Sequence, residues 1–347
     1  MWMVDCGLWN VDCGMWIVMK KIYFIVVLVL VLTGCAKPRY FVNEGHTFGT
    51  YYNIRYEATK DLEKQIIAHL HEYDASLSFF NDSSIISRIN RNEVVTTDSL
   101  FETMWTTAYE VSELSQGAFD ITCAPLISAW GFGKDKGIDY LRSHPVSQAT
   151  IDSLMNITGY RKLTIKEHRV TKQDPRLTMN ASAIAKGQGC DGVAALLAAN
   201  GCENYLVDIG GEVVAKGMNA KGEPWKIGIS KPIDDPTGTV RELQQVIATS
   251  DIKMASSGNY RQFYFDGDER RSHTIDPRTG YPVQHSLLGA TVVSNSCMRA
   301  DALATACMVL GANAALEMIE NDPHSECYLI VDKNGELVVK TSSGWGY

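Results

Sequence analysis

Tyr205-Leu206-Val207-Asp208-Ile209-Gly210-Gly211-Glu212-Val213-Val214-Ala215-Lys216 decides the fold class of this chain. Two apolar runs flank a glycine pair, the signature of an antiparallel hairpin closed by a two-residue turn. Just upstream, residues 183–200 are rich in Ala and Leu and stop at Gly201, which reads as a helix ended by a glycine. Downstream, strands are expected at 225–230, 245–250, 260–265, 288–293 and 327–331, the last joined through Asn334-Gly335 to 337–340. A helix from Met298 to Leu310, stopped by Gly311, interrupts them. Upstream, residues 47–57 alternate like a strand, and Leu62, Ile66 and Leu70 mark one helical face. Asp98 caps a further helix that buries Leu100, Met104, Ala108 and Val111 and closes at Gly117. Strands in runs, without regular βαβ alternation, give an α+β fold: mixed or antiparallel sheets with interspersed helices.

The ends of the chain carry address information. Met19-Lys20-Lys21, an apolar run at 22–32 and Thr33-Gly34-Cys35 form the charged, apolar and small-residue regions of an export signal. The apolar run is about eleven residues, roughly half of what a helix needs to cross a hydrocarbon core. Leu32-Thr33-Gly34-Cys35 resembles a bacterial lipobox, whose cysteine becomes an acylated N-terminus. Residues 1–18 hold a local repeat, Val4-Asp5-Cys6-Gly7 and Val11-Asp12-Cys13-Gly14, and translation is expected to start at Met19. The expected organisation is a signal peptide at 19–34, lipidated Cys35 and a linker to residue 45, with 39–43 lifting the domain off the bilayer, then one domain at 46–347. That places the protein on the extracytoplasmic, periplasmic side of a bacterial membrane. Removing the leader takes two lysines and two aspartates, so the net charge stays at −8, which argues against a nucleic-acid partner. The six remaining cysteines, 123, 190, 202, 297, 307 and 327, contain no Cys-x-x-Cys pair and read as buried thiols.

Several clusters can carry chemistry. In Ala300-Asp301-Ala302-Leu303-Ala304-Thr305 a carboxylate and a hydroxyl lie four residues apart, on one helical face. A hard cation such as Mg²⁺ suits that pair, and so does a plain core filled by Thr with Asp near the helix start. Between Ser272 and Pro282, His273, Asp276 and Arg278 share one turn-rich loop. Its imidazole has the titration range of a general base, and Arg278 suits either a phosphate or Asp276. Lys186-Gly187-Gln188-Gly189 opens a helix, where free amides and a lysine attract anions, but it lacks the Walker spacing. Asp208 stands beside the Gly210-Gly211 pair, which suits a plain hairpin or the close approach of a ligand.

Taken in order, these clusters resemble the ApbE family of FAD:protein FMN transferases. The resemblance rests on Phe48-Gly49-Thr50-Tyr51-Tyr52, Leu77-Ser78-Phe79-Phe80-Asn81, Gly117-Ala118-Phe119-Asp120-Ile121-Thr122, Trp130-Gly131-Phe132-Gly133, Ala185-Lys186-Gly187, Val207-Asp208-Ile209-Gly210-Gly211-Glu212, Ser257-Gly258-Asn259-Tyr260-Arg261, the His273 to Pro282 loop and Ala300 to Thr305. It implies an ApbE-like fold that binds FAD as substrate, with Mg²⁺ held by Asp301, Thr305 and the carbonyl of Ala183. It implies flavin contacts at Phe48, Phe80, Ala118, Phe119, Asp120, Asn180, Lys186 and Ile275, with Met and Asp common in the family where Phe48 and Asn180 stand. The implied reaction moves FMN from FAD to a Thr or Ser hydroxyl of an acceptor protein and releases AMP. His273 is the expected base, and Asp208 is expected to orient it or a ligand. The expected acceptor, in an exported redox complex, carries Asp-x-x-Ser/Thr-Gly-Ala/Ser-Thr/Ser. Asp234-Asp235-Pro236-Thr237-Gly238-Thr239-Val240 matches this only in part, its last position lacking a hydroxyl, so self-modification is not expected. Two alternatives share the site: an Mg²⁺-dependent FAD pyrophosphatase, and a flavin-binding lipoprotein without turnover.

Overall fold

Strands that are apolar on both faces need cover on both sides, and here they form the middle of an eight-stranded sheet. The computed structural model describes residues 37–133, 145–233, 242–260, 263–266 and 269–347. The sheet order is β1 (Arg39–Thr47), β2 (Thr50–Ala58), β5 (Tyr205–Ile209), β6 (Glu212–Lys216), β9 (Asp251–Gly258), β12 (Leu287–Ser294), β13 (Ser325–Lys333) and β14 (Glu336–Thr341). The pairings from β2 to β14 are all antiparallel. Two small hairpins, β3 (Leu163–Lys166) with β4 (Arg169–Lys172) and β10 (Phe263–Asp266) with β11 (Glu269–Ser272), stand apart from it. Tyr40–Glu57 and Leu62–Tyr347 make one compact body.

One face of the sheet carries helices, numbered among the described residues: α1 (Glu63–Leu77), α3 (Ser99–Leu114), α6 (Ala185–Ala199), α7 (Cys297–Leu310) and α8 (Ala312–Glu320). Leu77, Phe101, Met104, Leu303 and Met308 meet Ala255, Ala290, Val292 and Leu329 of the sheet in the main core. Burial of each large side chain there contributes roughly 1.5–3 kcal/mol. The other face is covered by the hairpin β7 (Trp225–Ser230) and β8 (Leu243–Thr249), where Trp225, Ile227 and Ile247 pack on Val213, Met254 and Ile330. The short helices α2 (Ile85–Asn90), α4 (Ala124–Ala129) and α5 (Gln148–Met155) complete the set. The expected α+β class holds. Among the described residues no helix is long and apolar enough to cross a membrane, and all six cysteines are free, five of them buried.

Three expectations change. The linker assigned to 39–43 is the first half of edge strand β1, with Asn43 buried and its Oδ1 accepting from the Tyr56 hydroxyl at 2.8 Å. The single strand at 47–57 is split by a turn at Phe48 and Gly49, both at positive φ. The whole of β9 was absent from the expected strands. Cys35, the signal segment and 234–240 lie outside the described residues.

Helix α7 is buried on nearly every side, so its start must be satisfied internally. Ser296 Oγ accepts the Arg299 N–H at 3.1 Å, and Asp191 of α6 takes the Cys297 and Met298 N–H groups at 3.0 and 2.9 Å. Asp191→Ala leaves two donors unpaired beside the core and is expected to cost about 2 kcal/mol or more in urea unfolding. Asp191→Asn, which keeps one acceptor, should lose less; an unchanged midpoint for the alanine variant contradicts this role.

Candidate active site

Gly187 lets α6 cross α7 at backbone contact: a Cβ there would lie 2.4 Å from the Cys297 carbonyl. The crossing delivers Asp301, one turn into α7, to the first turn of α6. The Gly187 N–H, which a regular helix would direct to the Ala183 carbonyl, donates to Asp301 Oδ2 at 3.1 Å. The Ala183 carbonyl therefore sits at the mouth of the helix, outside its ladder.

Between these helices and the β5–β6 hairpin lies a three-charge cluster. Lys186 Nζ donates to Glu212 Oε1 at 2.9 Å and to the Ser182 carbonyl at 3.3 Å, and stands 3.5 Å from Asp301 Oδ1. The carboxylates are almost fully buried, at 4 % and 2 % exposure. Burial pushes both carboxyls up, Glu212 to about 8 with the like charge of Asp301 adding to it, while Lys186 opposes. Burial alone would lower the Lys186 ammonium, but the two carboxylates outweigh it and hold it above its ordinary value. With both carboxyls ionised, one cation between them leaves a net negative charge in a low-dielectric place, which is relieved either by a proton on the raised Glu212 carboxyl or by a further cation.

The oxygen set fits a hard divalent ion. Thr305, one turn beyond Asp301, is half-buried with its hydroxyl 3.3 Å from Ser257 Oγ of β9, and Glu212 Oε2 is buried without a hydrogen-bond partner. Asp301, the Thr305 hydroxyl and the Ala183 carbonyl are the sparse oxygen donors that Mg²⁺ takes while keeping water and phosphate as its other partners. Among the described residues no group of three or more His, Cys, Asp or Glu is placed to hold a metal.

Two aromatic groups stand near α6 and the turn between β1 and β2. Phe48, at φ 52°, lays its ring against Gly189 of α6, and Phe80, 57 % exposed, lies 3.9 Å from where a Cβ of Gly49 would be. Phe48 thus meets the helix that carries Lys186, and Phe80 stands beside the turn that carries Phe48. Asn180 shapes the entry to α6: its N–H donates to the Ile121 carbonyl and its Oδ1 accepts from the Ser182 N–H, both at 2.8 Å.

The side chains of Ala118, Phe119 and Asp120, expected on the flavin, turn inward instead. Ala118 and Phe119 are 0 % and 2 % exposed. Asp120 accepts from the Thr122 N–H and hydroxyl at 2.7 Å each and from the Tyr160 N–H at 2.8 Å. Their part is to fix the loop, so only backbone there is left to face a ligand. Ile275 is likewise core, packed with Leu126, Trp130 and Ile151. The His273 loop docks on the Trp130 motif: Trp130 Nε1 donates to the Gly280 carbonyl at 2.8 Å, and the Phe132 ring meets the half-buried His273 edge-on at 6.3 Å. Arg278 holds Asp276 in a fork of two 2.9 Å bonds, the second of its two expected roles.

Asp208 needs correction. It pairs with Val213, which packs under the β7–β8 hairpin, so Asp208 faces that side of the sheet and takes the Gly211 N–H at 2.9 Å. Glu212, paired with Ile209, points to the opposite side, toward α6. The acid of this motif that joins the cluster is Glu212, which the sequence reading passed over. Its signal was the hairpin register, which puts Glu212 on the face of Val207 and Ile209. A groove of about 1060 Å³ opens on the Asp208 side, lined by Arg55, Asp208, Thr291 and β7; toward the cluster's side its lining includes Tyr52, Gly210, Gly211, Ser257 and Ala290. Ser257, in its lining, is also the residue that meets the Thr305 hydroxyl. A hollow of about 590 Å³ lies beside Phe79, Arg91, Leu154 and Arg176.

The raised Glu212 carboxyl has a pH consequence. In metal-free protein the folded chain keeps a proton that the unfolded chain has released, so stability falls as pH rises from about 5 to about 8. Urea unfolding across that range should show this slope in the wild type and a flatter one in Glu212→Gln; equal slopes contradict it.

Comparison with known proteins gives the family. The ApbE family model matches residues 48–329. An FAD:protein FMN transferase of Vibrio cholerae is 38 % identical over 303 residues, covering 84 % of this chain and 88 % of its own. One from Haemophilus influenzae is 34 % identical over 339 residues, covering 92 % and 95 %. Among solved structures, the flavin transferase ApbE of Vibrio cholerae superposes with a TM-score of 0.77 at 34 % identity, over 89 % of this chain and 98 % of that one. The apo flavinyl transferase ApbE of Pseudomonas stutzeri gives 0.77 at 28 % identity, over 88 % and 96 %. With the family model matched over most of its length and relatives of this identity and coverage, this chain belongs to the ApbE family.

Proposed function

We propose that this chain is an FAD:protein FMN transferase, acting outside the cytoplasm on a membrane to which lipid on Cys35 holds it. The observation that carries the chemistry is the buried cluster of Asp301, Lys186 and Glu212 at the mouth of α6, with Phe48 packed on Gly189 of the same helix and Phe80 by the turn that carries Phe48. Family membership and the names of the full-length relatives support the reaction class; the signal-like segment at 19–34 supports the location.

In this reaction a Thr or Ser hydroxyl of the acceptor attacks the FMN-side phosphorus of FAD. The new bond is O–P, the bond broken joins that phosphorus to the bridging oxygen, and AMP leaves with that oxygen. Asp301, Thr305 and the Ala183 carbonyl would hold Mg²⁺, which when bound offsets charge on the diphosphate. Lys186, at the positive end of α6, attracts the diphosphate; the Ala185, Gly187 and Gln188 N–H groups of that turn are already paired with Ala181, Asp301 and Ile184. Phe48 and Phe80 offer apolar faces to the ring systems. His273 receives the hydroxyl proton, its loop fixed by Trp130 and Phe132. The acceptor presents its hydroxyl within Asp-x-x-Ser/Thr-Gly-Ala/Ser-Thr/Ser, on a subunit of an exported redox complex.

The test is incubation of the mature chain with FAD, Mg²⁺ and an acceptor domain, read by intact mass. The expected result is the mass of FMN on one acceptor hydroxyl with equimolar AMP. Asp301→Ala should reduce labelling about 100-fold or more, and His273→Ala should also reduce it. Free FMN and AMP with unlabelled acceptor would identify a pyrophosphatase instead, and intact FAD would identify a binding protein.

A further inference from the structure

Lys186 has two carboxylates within reach and does not share itself equally. Its ammonium lies 2.9 Å from Glu212 Oε1, a full hydrogen bond, and 3.5 Å from Asp301 Oδ1, at the edge of one. Both ends of the shorter contact are fixed by backbone. Glu212 sits at the start of β6 opposite Ile209, and its carbonyl accepts the Cys190 thiol at 3.1 Å. Gly210, at φ +67°, clears the space around it: a Cβ there would meet the Thr50 methyl at 2.7 Å and Glu212 Oε2 at 3.4 Å. Lys186 is anchored in the first turn of α6 and also donates to Ser182.

An ammonium fully paired with Asp301 would compete with any metal ion for that carboxylate. We propose that Glu212 is a positioning residue that tethers Lys186 away from Asp301 and so keeps the Asp301 carboxylate open to a divalent cation. The inference rests on the metal site assigned to Asp301 under the proposed function. It accounts for a glutamate buried in a place where an apolar side chain would be easier to hold. It also explains the charge balance. With both carboxylates ionised and one ammonium the cluster carries −1; a divalent ion, by displacing the proton that Glu212 keeps in the metal-free protein, turns this to +1, the sign that suits a diphosphate. Without Glu212, Lys186 and Asp301 neutralise each other and the pull on a cation is lost.

A double-mutant cycle tests it, with Mn²⁺ as the probe because it takes the same oxygen ligands as Mg²⁺. Free Mn²⁺ is read by electron paramagnetic resonance over the full mature chain, with neither FAD nor acceptor. Glu212→Gln is expected to weaken Mn²⁺ binding about tenfold or more. In the Lys186→Met background, where nothing needs tethering, the same substitution is expected to cost less than about threefold. If Glu212 acted only through its charge, the loss would be equal in both backgrounds, and that result overturns the tether. Circular dichroism confirms folding of each variant. Should Glu212→Gln not fold, Glu212→Asp keeps the charge but shortens the reach; it is expected to lose the same affinity, and wild-type affinity there overturns the proposal. The underlying metal assignment fails separately: it falls, and the tether with it, if the wild type takes up no Mn²⁺ or if Asp301→Ala binds it as the wild type does.

Discussion

A single ammonium held between two buried carboxylates is the constraint that the rest of this structure serves. Each carboxylate left without its partner would face the full desolvation of a charge in the core, a cost of several kcal/mol. Three elements from distant parts of the sequence must therefore meet to within a bond length. Helix α6 brings Lys186, helix α7 brings Asp301 and strand β6 brings Glu212. The glycine at 187 permits the helix crossing, and Asp191 caps the buried start of α7 from the same helix. The sheet beneath, apolar on both faces at β12 and β13, fixes the level at which α7 lies.

The division of the sheet into two faces explains the distribution of chemistry. Ser256 and Ser257 are neighbours in β9, yet Ser256 bonds Thr291 on the hairpin side while Ser257 reaches Thr305 of α7. Asp208 and Glu212 divide in the same way across their turn. Polar residues adjacent in sequence thus serve different compartments, and the charged cluster is confined to the helical side. The large groove on the other side belongs to the hairpin layer.

Much of this was legible before any coordinates. Strong local signals specified the β5–β6 hairpin, the Asp98 cap and the glycine stops of α6 and α7, and the structure reproduces each of them. Edge and polar strands were not legible. In β1 only Asn43 is buried, so no apolar alternation marks it, and β9 ends in Ser-Ser-Gly, which reads as a turn. Family motifs located the site region but not the direction of its side chains. Phe119 and Asp120 lie in a motif expected on the flavin, yet their orientation depends on Ser115, Thr122 and Tyr160, whose contacts only the fold brings about. Glu212 was passed over for the opposite reason: beside a glycine pair it looks like an ordinary hairpin residue until the register places it against α6.

The central claim is that this cluster is built to receive a divalent ion and, through it, a dinucleotide. Anomalous diffraction from a crystal of the mature chain soaked with Mn²⁺ and FAD examines it directly. The account predicts a metal peak in contact with the Asp301 carboxylate and the Thr305 hydroxyl, against the FAD diphosphate, with Lys186 still bonded to Glu212. A metal bound elsewhere, or a diphosphate lying in the groove on the Asp208 side, would contradict it.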